Sequence, residues 1–298
     1  MGQLHINPNL RTPKTTQKIM LDVCIALLPA LVYATVIFGM NALLLTAVSV
    51  ATCVVAEGAW QAIRKETVTV SDLSAAVTGM LIAFNVSSTT PIWAVMIADV
   101  FAIIVVKQVF GGIGNNVVNP ALVGRLFMMV VYPAQMMSYA TPGAVDTVTH
   151  ATVLSGGAAD YTVMNMILGN IPGALGETSA LFLLVGFLYL AYKKEVNVLA
   201  AVVYIGVVGL VSGLIMGNVA AGFFGGGLFL GGLFMLTDYV FVSKSGKVLY
   251  ALVAAVITIM VRCFSFLPEG VCFGILLANC MVTLIDKIDK KPHVYGVK

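Results

Sequence analysis

Long apolar stretches recur along almost the whole chain and are separated by short polar joints. About 20 consecutive apolar residues are enough to cross a bilayer as a helix. Ten stretches follow this pattern, the fifth and sixth being short, at residues 21–38, 42–62, 72–90, 92–110, 119–132, 179–192, 196–213, 225–242, 248–263 and 270–285. The pattern predicts an all-α integral membrane protein of about ten transmembrane helices.

The composition changes this picture little, but it excludes several functions. Of the 298 residues, 60% are hydrophobic and 10% are charged, whereas soluble domains have about 25% charged residues. A net charge of +3 is too small to indicate a nucleic-acid partner. The five cysteines lack C-x-x-C spacing and no histidine lies in an apolar run, so no iron–sulfur cluster, haem or other metal site is predicted. No dinucleotide-binding fingerprint and no catalytic residue set is present either.

The basic residues lie at alternate joints between the apolar stretches. Most of them precede the first stretch or follow the second, sixth, eighth and tenth, and Lys107 lies at the end of the fourth. Because cytoplasmic loops of membrane proteins carry an excess of Lys and Arg, these joints are predicted to be cytoplasmic. The N-terminal segment 1–20 and the tail 287–298 then lie in the cytoplasm, and the loop 133–178 lies outside. The chain is therefore predicted to be a multi-pass protein of the inner or plasma membrane.

The two halves of the chain resemble each other weakly. Residues 79–85 (GMLIAFN) and 232–238 (GLFMLTD) are both apolar runs that end in a polar residue. With five spans per half, the second half starts on the opposite face of the membrane, as in transporters with inverted-topology repeats. The sequence predicts two inverted five-helix repeats at 21–132 and 179–286, with chance likeness between apolar runs as the alternative.

Several acidic residues fall within or at the ends of the apolar stretches. Charged groups at membrane depth are costly and often mark an ion pathway. Among Glu57, Asp72, Asp99 and Asp238, we favour Asp72, Glu57 and Asp238 for a cation path. The alternative for Asp72 is a helix N-cap, and the alternative for Asp238 is a polar stop at a helix end.

The longest polar break contains the stretch 146–152, with the sequence DTVTHAT. Taken alone, it would be read as a turn in which Ser/Thr-type side chains bond to the local backbone. It also resembles the flavin-attachment sequence of two related membrane families, in which Asp, then Ser or Thr, then Ala-Thr recur at this spacing. The families often have Gly or Ser where this chain has His150.

Four further stretches carry the same resemblance, at 110–125 (FGGIGNNVVNPALVGR), 171–179 (IPGALGETS), 236–238 (LTD) and 268–286. The families are the D-type membrane component of the Rnf complex and the B-type component of the sodium-pumping NADH:quinone reductase. The compact chain is more similar to the Rnf D component, since the B component is usually longer at its N-terminus and in its loops.

The resemblance implies a covalent cofactor on the outer loop. Thr152 would carry FMN through a phosphodiester bond, attached by a separate flavin transferase because a threonine hydroxyl is a poor nucleophile without activation. The residues expected to serve this site are Asp146, Thr149, His150 and Ala151 of the stretch, and Arg262, the one basic residue near the outer face.

A second, non-covalent flavin is a further expectation. Asn119 precedes Pro120, which suits the first turn of a helix, and a helix start presents free N–H groups to an anionic ligand. Arg125 could join such a site, although an internal ion pair with Glu57 or Asp99 is the favoured interpretation.

The resemblance also implies the function and the partners. The chain would be a subunit of a complex that couples electron transfer between ferredoxin and NAD to movement of Na⁺ or H⁺, working only with other Rnf subunits, of the A, B, C, E and G types. Two alternatives stay open: a component like the B-type protein of the quinone reductase, and a channel or secondary transporter without a redox centre.

Overall fold

The computed structural model describes residues 15–114, 116–136, 138–139, 154, 161–176, 179–237, 246–265, 270–282 and 284–285. Within these ranges all regular structure is helical and no strand occurs. The helices are α1 Thr16–Phe38, α2 Met40–Ile63, α3 Ser74–Phe84, α4 Ile92–Phe101, α5 Pro120–Val131, α6 Pro133–Met136, α7 Val163–Leu168, α8 Ala180–Tyr192, α9 Val198–Ile215, α10 Val219–Phe224, α11 Leu228–Leu230, α12 Gly246–Phe264 and α13 Gly270–Cys280.

Four helices of the described part are long and apolar enough to cross a membrane: α1, α2, α9 and α12. Their lipid-facing side chains remain exposed, among them Val36 and Leu214 at 76% and 71%. Large apolar side chains that stay exposed along several long helices are covered by lipid rather than water. The all-α membrane class predicted from the sequence is therefore confirmed for this part of the chain.

Several predicted spans are shorter than expected. The stretch 72–90 forms only the 11-residue helix α3. The stretch 270–285 forms the 11-residue helix α13, with further helical residues at 282 and 284–285. At 1.5 Å per residue, such helices are about 16 Å long, roughly half of the hydrocarbon thickness. The helix α3 ends at Asn85, whose φ of −91° and ψ of 2° leave the helical region.

The open end of α3 is completed by a segment distant in sequence. The backbone N–H groups of Leu175 and Gly176 donate to the carbonyls of Val86 and Phe84, at 2.9 and 3.0 Å. Residues 171–176 are all buried, although the sequence placed them in an outer loop. A side chain on Gly176 would overlap the ring of Phe84, so only glycine permits this pairing.

Two helices continue into π-helical turns. The helix α4 is followed by the π-helix Ala102–Gln108, and α11 is followed by the π-helix Gly231–Met235. Such turns change which side chains share a helix face and are frequent at functional sites. The π-helix that follows α4 ends in Lys107 and Gln108, and both side chains are buried.

Small residues let the helices approach closely, as is usual in membrane bundles. A Cβ on Gly79 of α3 would lie 2.7 Å from the Cα of Val50 in α2, closer than atoms can approach. A Cβ on Gly186 of α8 would likewise overlap the carbonyl of Ala26 in α1. These contacts join α2 to α3 and α1 to α8.

Candidate functional site

The predicted flavin-attachment stretch lies outside the described residues, including Asp146, Thr149, His150, Ala151 and Thr152. Asp238, one of the acids assigned to a cation path, also lies outside them. The neighbouring Leu154 is described, and it is buried at 9% exposure. Among the described residues, Leu154 lies nearest in sequence to the stretch, so its contacts indicate what surrounds the stretch.

Leu154 packs against a glycine-rich segment, Gly225–Gly227, between α10 and α11. A Cβ on Gly225 would lie 2.9 Å from one methyl carbon of Leu154, and a Cβ on Gly226 would overlap the other. Gly226 also has a φ of +63°, which favours glycine. This segment is thus shaped to receive the Leu154 side chain.

Arg262, near the end of α12, also contacts the same segment. Its side chain is buried at 5% exposure. The guanidinium donates to the carbonyls of Gly222 and Gly225, both at 2.9 Å, and of Gly226 at 3.2 Å. A cation at the C-terminal end of a helix such as α10 is stabilising. Arg262, expected from the sequence to serve the cofactor, therefore also fixes the glycine segment that Leu154 contacts.

A second group of polar residues joins α2, α3 and the end of α4. The Lys107 ammonium lies 2.9 Å from the carboxylate of Glu57 and donates to the Ser74 hydroxyl at 2.6 Å. Gln108 donates to the same carboxylate at 2.5 Å. Asp72 in turn accepts from the Ser74 N–H at 2.8 Å and from its hydroxyl at 2.5 Å. We call these five residues the Glu57–Lys107 cluster.

The cluster relates two acids that the sequence singled out. Asp72 accepts from the N–H of Ser74, the first residue of α3, and it also reaches Lys107 through Ser74. The N-cap position expected for Asp72 is occupied by Leu73. Glu57 is a member of a buried ion pair whose side chains are 1% and 2% exposed. Sequence reasoning used Lys107 only to orient the chain and missed this role. The sequence feature that could have predicted the ion pair is the presence of a lysine and a glutamate within apolar stretches, where unpaired charges are costly.

A cavity of about 60 Å³ opens beside the cluster. Its polar lining includes Ser74, Thr78, Lys107, Asn116 and Asn119. Asn119 caps α5, since its side-chain oxygen accepts from two N–H groups of the first turn at 2.9 and 3.3 Å. Pro120 occupies the first position of the helix, as predicted. Asn119 and Lys107 therefore line this cavity together, and Arg125 is not among its lining residues.

Arg125 meets the end of α3 instead. Its guanidinium donates to the Asn85 side-chain oxygen, and the Asn85 amide donates to the carbonyl of Leu81 at 2.6 Å and lies 3.7 Å from the sulfur of Met235. Arg125 is 4% exposed. The ion pairs found between described residues do not include the expected pairing of Arg125 with Glu57 or Asp99, and the Glu57 carboxylate is bonded to Lys107 and Gln108.

The short helices of the two halves converge at this point. The thiol of Cys272 in α13 lies 3.3 Å from the carbonyl of Leu122 in α5. Met235 brings the second π-helix to the end of α3. A buried arginine therefore lies where α3, α5, α13 and the second π-helix approach one another, which places fixed positive charge within the bundle.

Comparisons with known proteins cover nearly the whole chain. The family described as "NQR2, RnfD, RnfE family" matches residues 3–296. The D-type component of the Na⁺-translocating ferredoxin:NAD⁺ oxidoreductase complex of Acetobacterium woodii is 39% identical over 300 residues, which cover 98% of this chain and 94% of that protein. The D-type component of the proton-translocating ferredoxin:NAD⁺ oxidoreductase complex of Clostridium ljungdahlii is 35% identical over 318 residues, covering 98% and 95%.

A more distant relative extends the match. The D-type component of the ion-translocating oxidoreductase complex of Yersinia pseudotuberculosis is 29% identical over 347 residues, covering 99% of both chains. The resemblance stated from the sequence motifs is confirmed. The chain, a multi-pass membrane protein by its helices, belongs to the NQR2, RnfD, RnfE family.

Proposed function

We propose that this chain is the D-type membrane component of an Rnf-type complex, which couples electron transfer between ferredoxin and NAD to movement of Na⁺ or H⁺. The observation that carries the proposal is near-complete coverage at 39% and 35% identity by two D-type relatives. The first relative is named as Na⁺-translocating and the second as proton-translocating, so similarity to these relatives does not indicate which ion this chain moves. Rnf subunits of the A, B, C, E and G types are the proposed partners.

The proposed architecture is ten helices in two inverted five-helix repeats, with both termini in the cytoplasm. Corresponding features of the halves support it. Each half begins with two successive apolar helices, α1 and α2 or α8 and α9, and ends in a short one, α5 or α13. Among the described residues, each half also contains one π-helix, at Ala102–Gln108 or Gly231–Met235. Sites in such proteins lie near the membrane midplane at the repeat interface.

The proposed cofactor is FMN joined to Thr152 by a separate flavin transferase. Bound FMN would supply one-electron transfer between neighbouring carriers. Two residues extend at most about 7 Å, so Thr152 cannot be farther than this from the Cα of Leu154. Leu154 would anchor the stretch on Gly226, and Arg262 would place a positive charge beside the anionic phosphodiester. The Arg262 side chain fits the group by charge, and the space that Gly226 leaves is taken by Leu154.

Deleting the gene tests the assignment of the complex. We expect membranes of the deletion strain to lose ferredoxin-dependent reduction of NAD, because an Rnf-type complex needs its D-type component to pass electrons. A plasmid copy of the wild-type gene is the control and should restore the rate. If the membranes instead lose NADH-dependent quinone reduction and keep the ferredoxin reaction, the assignment is wrong and the chain serves the quinone reductase.

A glycine substitution tests the anchoring role of Leu154. We expect Gly226→Ala to lower the flavin bound per protein several-fold, because the new side chain would displace Leu154 and crowd Arg262. Gly217→Ala is the matched control, since Gly217 has a similar φ of +71° but no atom within 4 Å of its Cβ position. The measurement is flavin absorbance per purified protein. Equal flavin content in the two variants would contradict the role of this contact.

A further inference from the structure

A second buried acid lies away from the Glu57–Lys107 cluster. Asp99 of α4 and Ser49 of α2 are both 0% exposed. The Ser49 hydroxyl oxygen lies 2.8 Å from one Asp99 carboxyl oxygen and 2.9 Å from the Gly79 carbonyl of α3. The close contact of Gly79 with Val50 brings that carbonyl within reach. Three helices therefore bring three oxygens together in the interior of the bundle.

Counting hydrogens shows which form of Asp99 fits this arrangement. A serine hydroxyl has one hydrogen to donate, and a backbone carbonyl can only accept. One hydrogen shared between two acceptors would leave both bonds weak. If Asp99 is protonated, its O–H donates to Ser49, and the Ser49 O–H donates to Gly79. The neutral acid completes the chain of hydrogen bonds, whereas the carboxylate leaves it one hydrogen short.

The surrounding charges favour the same form. The ion pairs that join two described residues are Lys107–Glu57, Lys193–Asp22 and Arg64–Glu66, and none of them includes Asp99. The second Asp99 carboxyl oxygen is buried without a hydrogen-bond partner in this part of the chain. An unpaired carboxylate at such depth is strongly disfavoured.

The titratable groups on the elements packed against Asp99 do not supply a free counter-charge. On α2, Cys53 has a thiol and not a cationic group, and Glu57 is bonded to Lys107 of the π-helix. On α5, the Arg125 guanidinium is directed to Asn85 at the end of α3, and the ion pairs found between described residues do not join it to Asp99. The helix α3 contains no titratable residue. Lys107 and Glu57 neutralise each other, so they do not stabilise a charge on Asp99.

The number of oxygen atoms at this site favours a proton over a metal ion as its ligand. Ca²⁺ and Mg²⁺ take about six or more oxygen ligands, and Asp99, Ser49 and Gly79 present four oxygens, two of which belong to one carboxyl group. No group of three His, Cys, Asp or Glu side chains that could hold a metal occurs among the described residues.

We propose that Asp99, with Ser49 and the Gly79 carbonyl, forms a proton-binding site in the membrane interior that is protonated at rest. Binding takes one proton from water and release returns it, with no other reactant. Asp99 is eight residues from Lys107, and Ser49 is eight residues from Glu57, so the site and the cluster are separated by about 12 Å along one α2–α4 seam. The site is independent of the flavin and of the electron donor, and so goes beyond the function proposed above.

Infrared difference spectroscopy of the purified whole complex tests the proposal. At neutral pH, we expect the wild type to show a C=O stretching band of a protonated carboxyl that Asp99→Asn lacks. Asparagine should keep the complex assembled because its amide can donate to Ser49 as the acid does. Asp22→Asn is the matched control, since Asp22 is 4% exposed but faces Lys193 and the Tyr189 hydroxyl, and its removal should leave the band unchanged.

A second variant tests the geometry without altering the acid. In Ser49→Ala, the Asp99 O–H loses its acceptor, so the band should shift to higher frequency. An identical carboxyl region in the wild type and Asp99→Asn would overturn the proposal, as would a band that Ser49→Ala does not move. Loss of the band on adding Na⁺ at constant pH would assign the site to Na⁺ and overturn it too.

Discussion

The Thr152→Ala variant, expressed with its flavin transferase, is expected to give no fluorescent band on a denaturing gel, whereas the wild type gives one. A phosphodiester needs a side-chain hydroxyl oxygen, and alanine has none, so the loss should be complete. Thr152→Ser keeps the hydroxyl and should retain measurable attachment. Mass spectrometry of the peptide that contains residue 152 provides the same measurement independently of fluorescence.

The control for this variant is Thr147→Ala, which removes a hydroxyl from the same stretch at a position that the family resemblance leaves variable. It should keep the full flavin content. A fluorescent Thr152→Ala band, or an unmodified wild-type peptide, would contradict the attachment site while leaving the family membership intact.

The second large effect is expected from the buried ion pair. Lys107→Met should destabilise the protein by about 3–5 kcal/mol, because it leaves the Glu57 carboxylate buried without its cation. The double variant Lys107→Met/Glu57→Gln should recover much of this loss, since no charge then remains unpaired. The measurement is thermal unfolding of the purified complex, in which unfolding is monitored through the release of this chain from the complex.

The exposed pair Arg64–Glu66 is the matched control for the buried one. Its atoms are also 2.9 Å apart, but its side chains are 56% and 50% exposed. Arg64→Met should therefore change stability by only about 0–1 kcal/mol. Equal effects of Arg64→Met and Lys107→Met would mean that burial does not govern the strength of the Lys107 pair.

The sequence predicted the long helices better than the interrupted ones. The helices α1, α2, α9 and α12 correspond to the spans 21–38, 42–62, 196–213 and 248–263, because each is apolar over its full length. The span 72–90 was too long because hydropathy continues through Val86 after the helix has ended. What ends α3 is the backbone pairing with residues 171–176, and that contact depends on packing between distant segments.

The polar groups show the same limit. The depth of Glu57 and Asp99 could be predicted, since both lie within apolar stretches. Their partners could not, because Lys107 and Ser49 are each 50 residues away along the chain. The capping role of Asn119 was predictable because it is local, involving only the residues that follow it.

The pairing of residues 171–176 with the end of α3 has a consequence for the order of biosynthesis. Backbone groups in lipid must be satisfied within the protein, yet the carbonyls of Phe84 and Val86 find their donors about 90 residues later. The ribosome will have delivered α1–α5 to the bilayer before those donors exist. The amino-terminal half therefore cannot complete its folding alone, because the end of α3 is paired only after residues 171–176 have been translated.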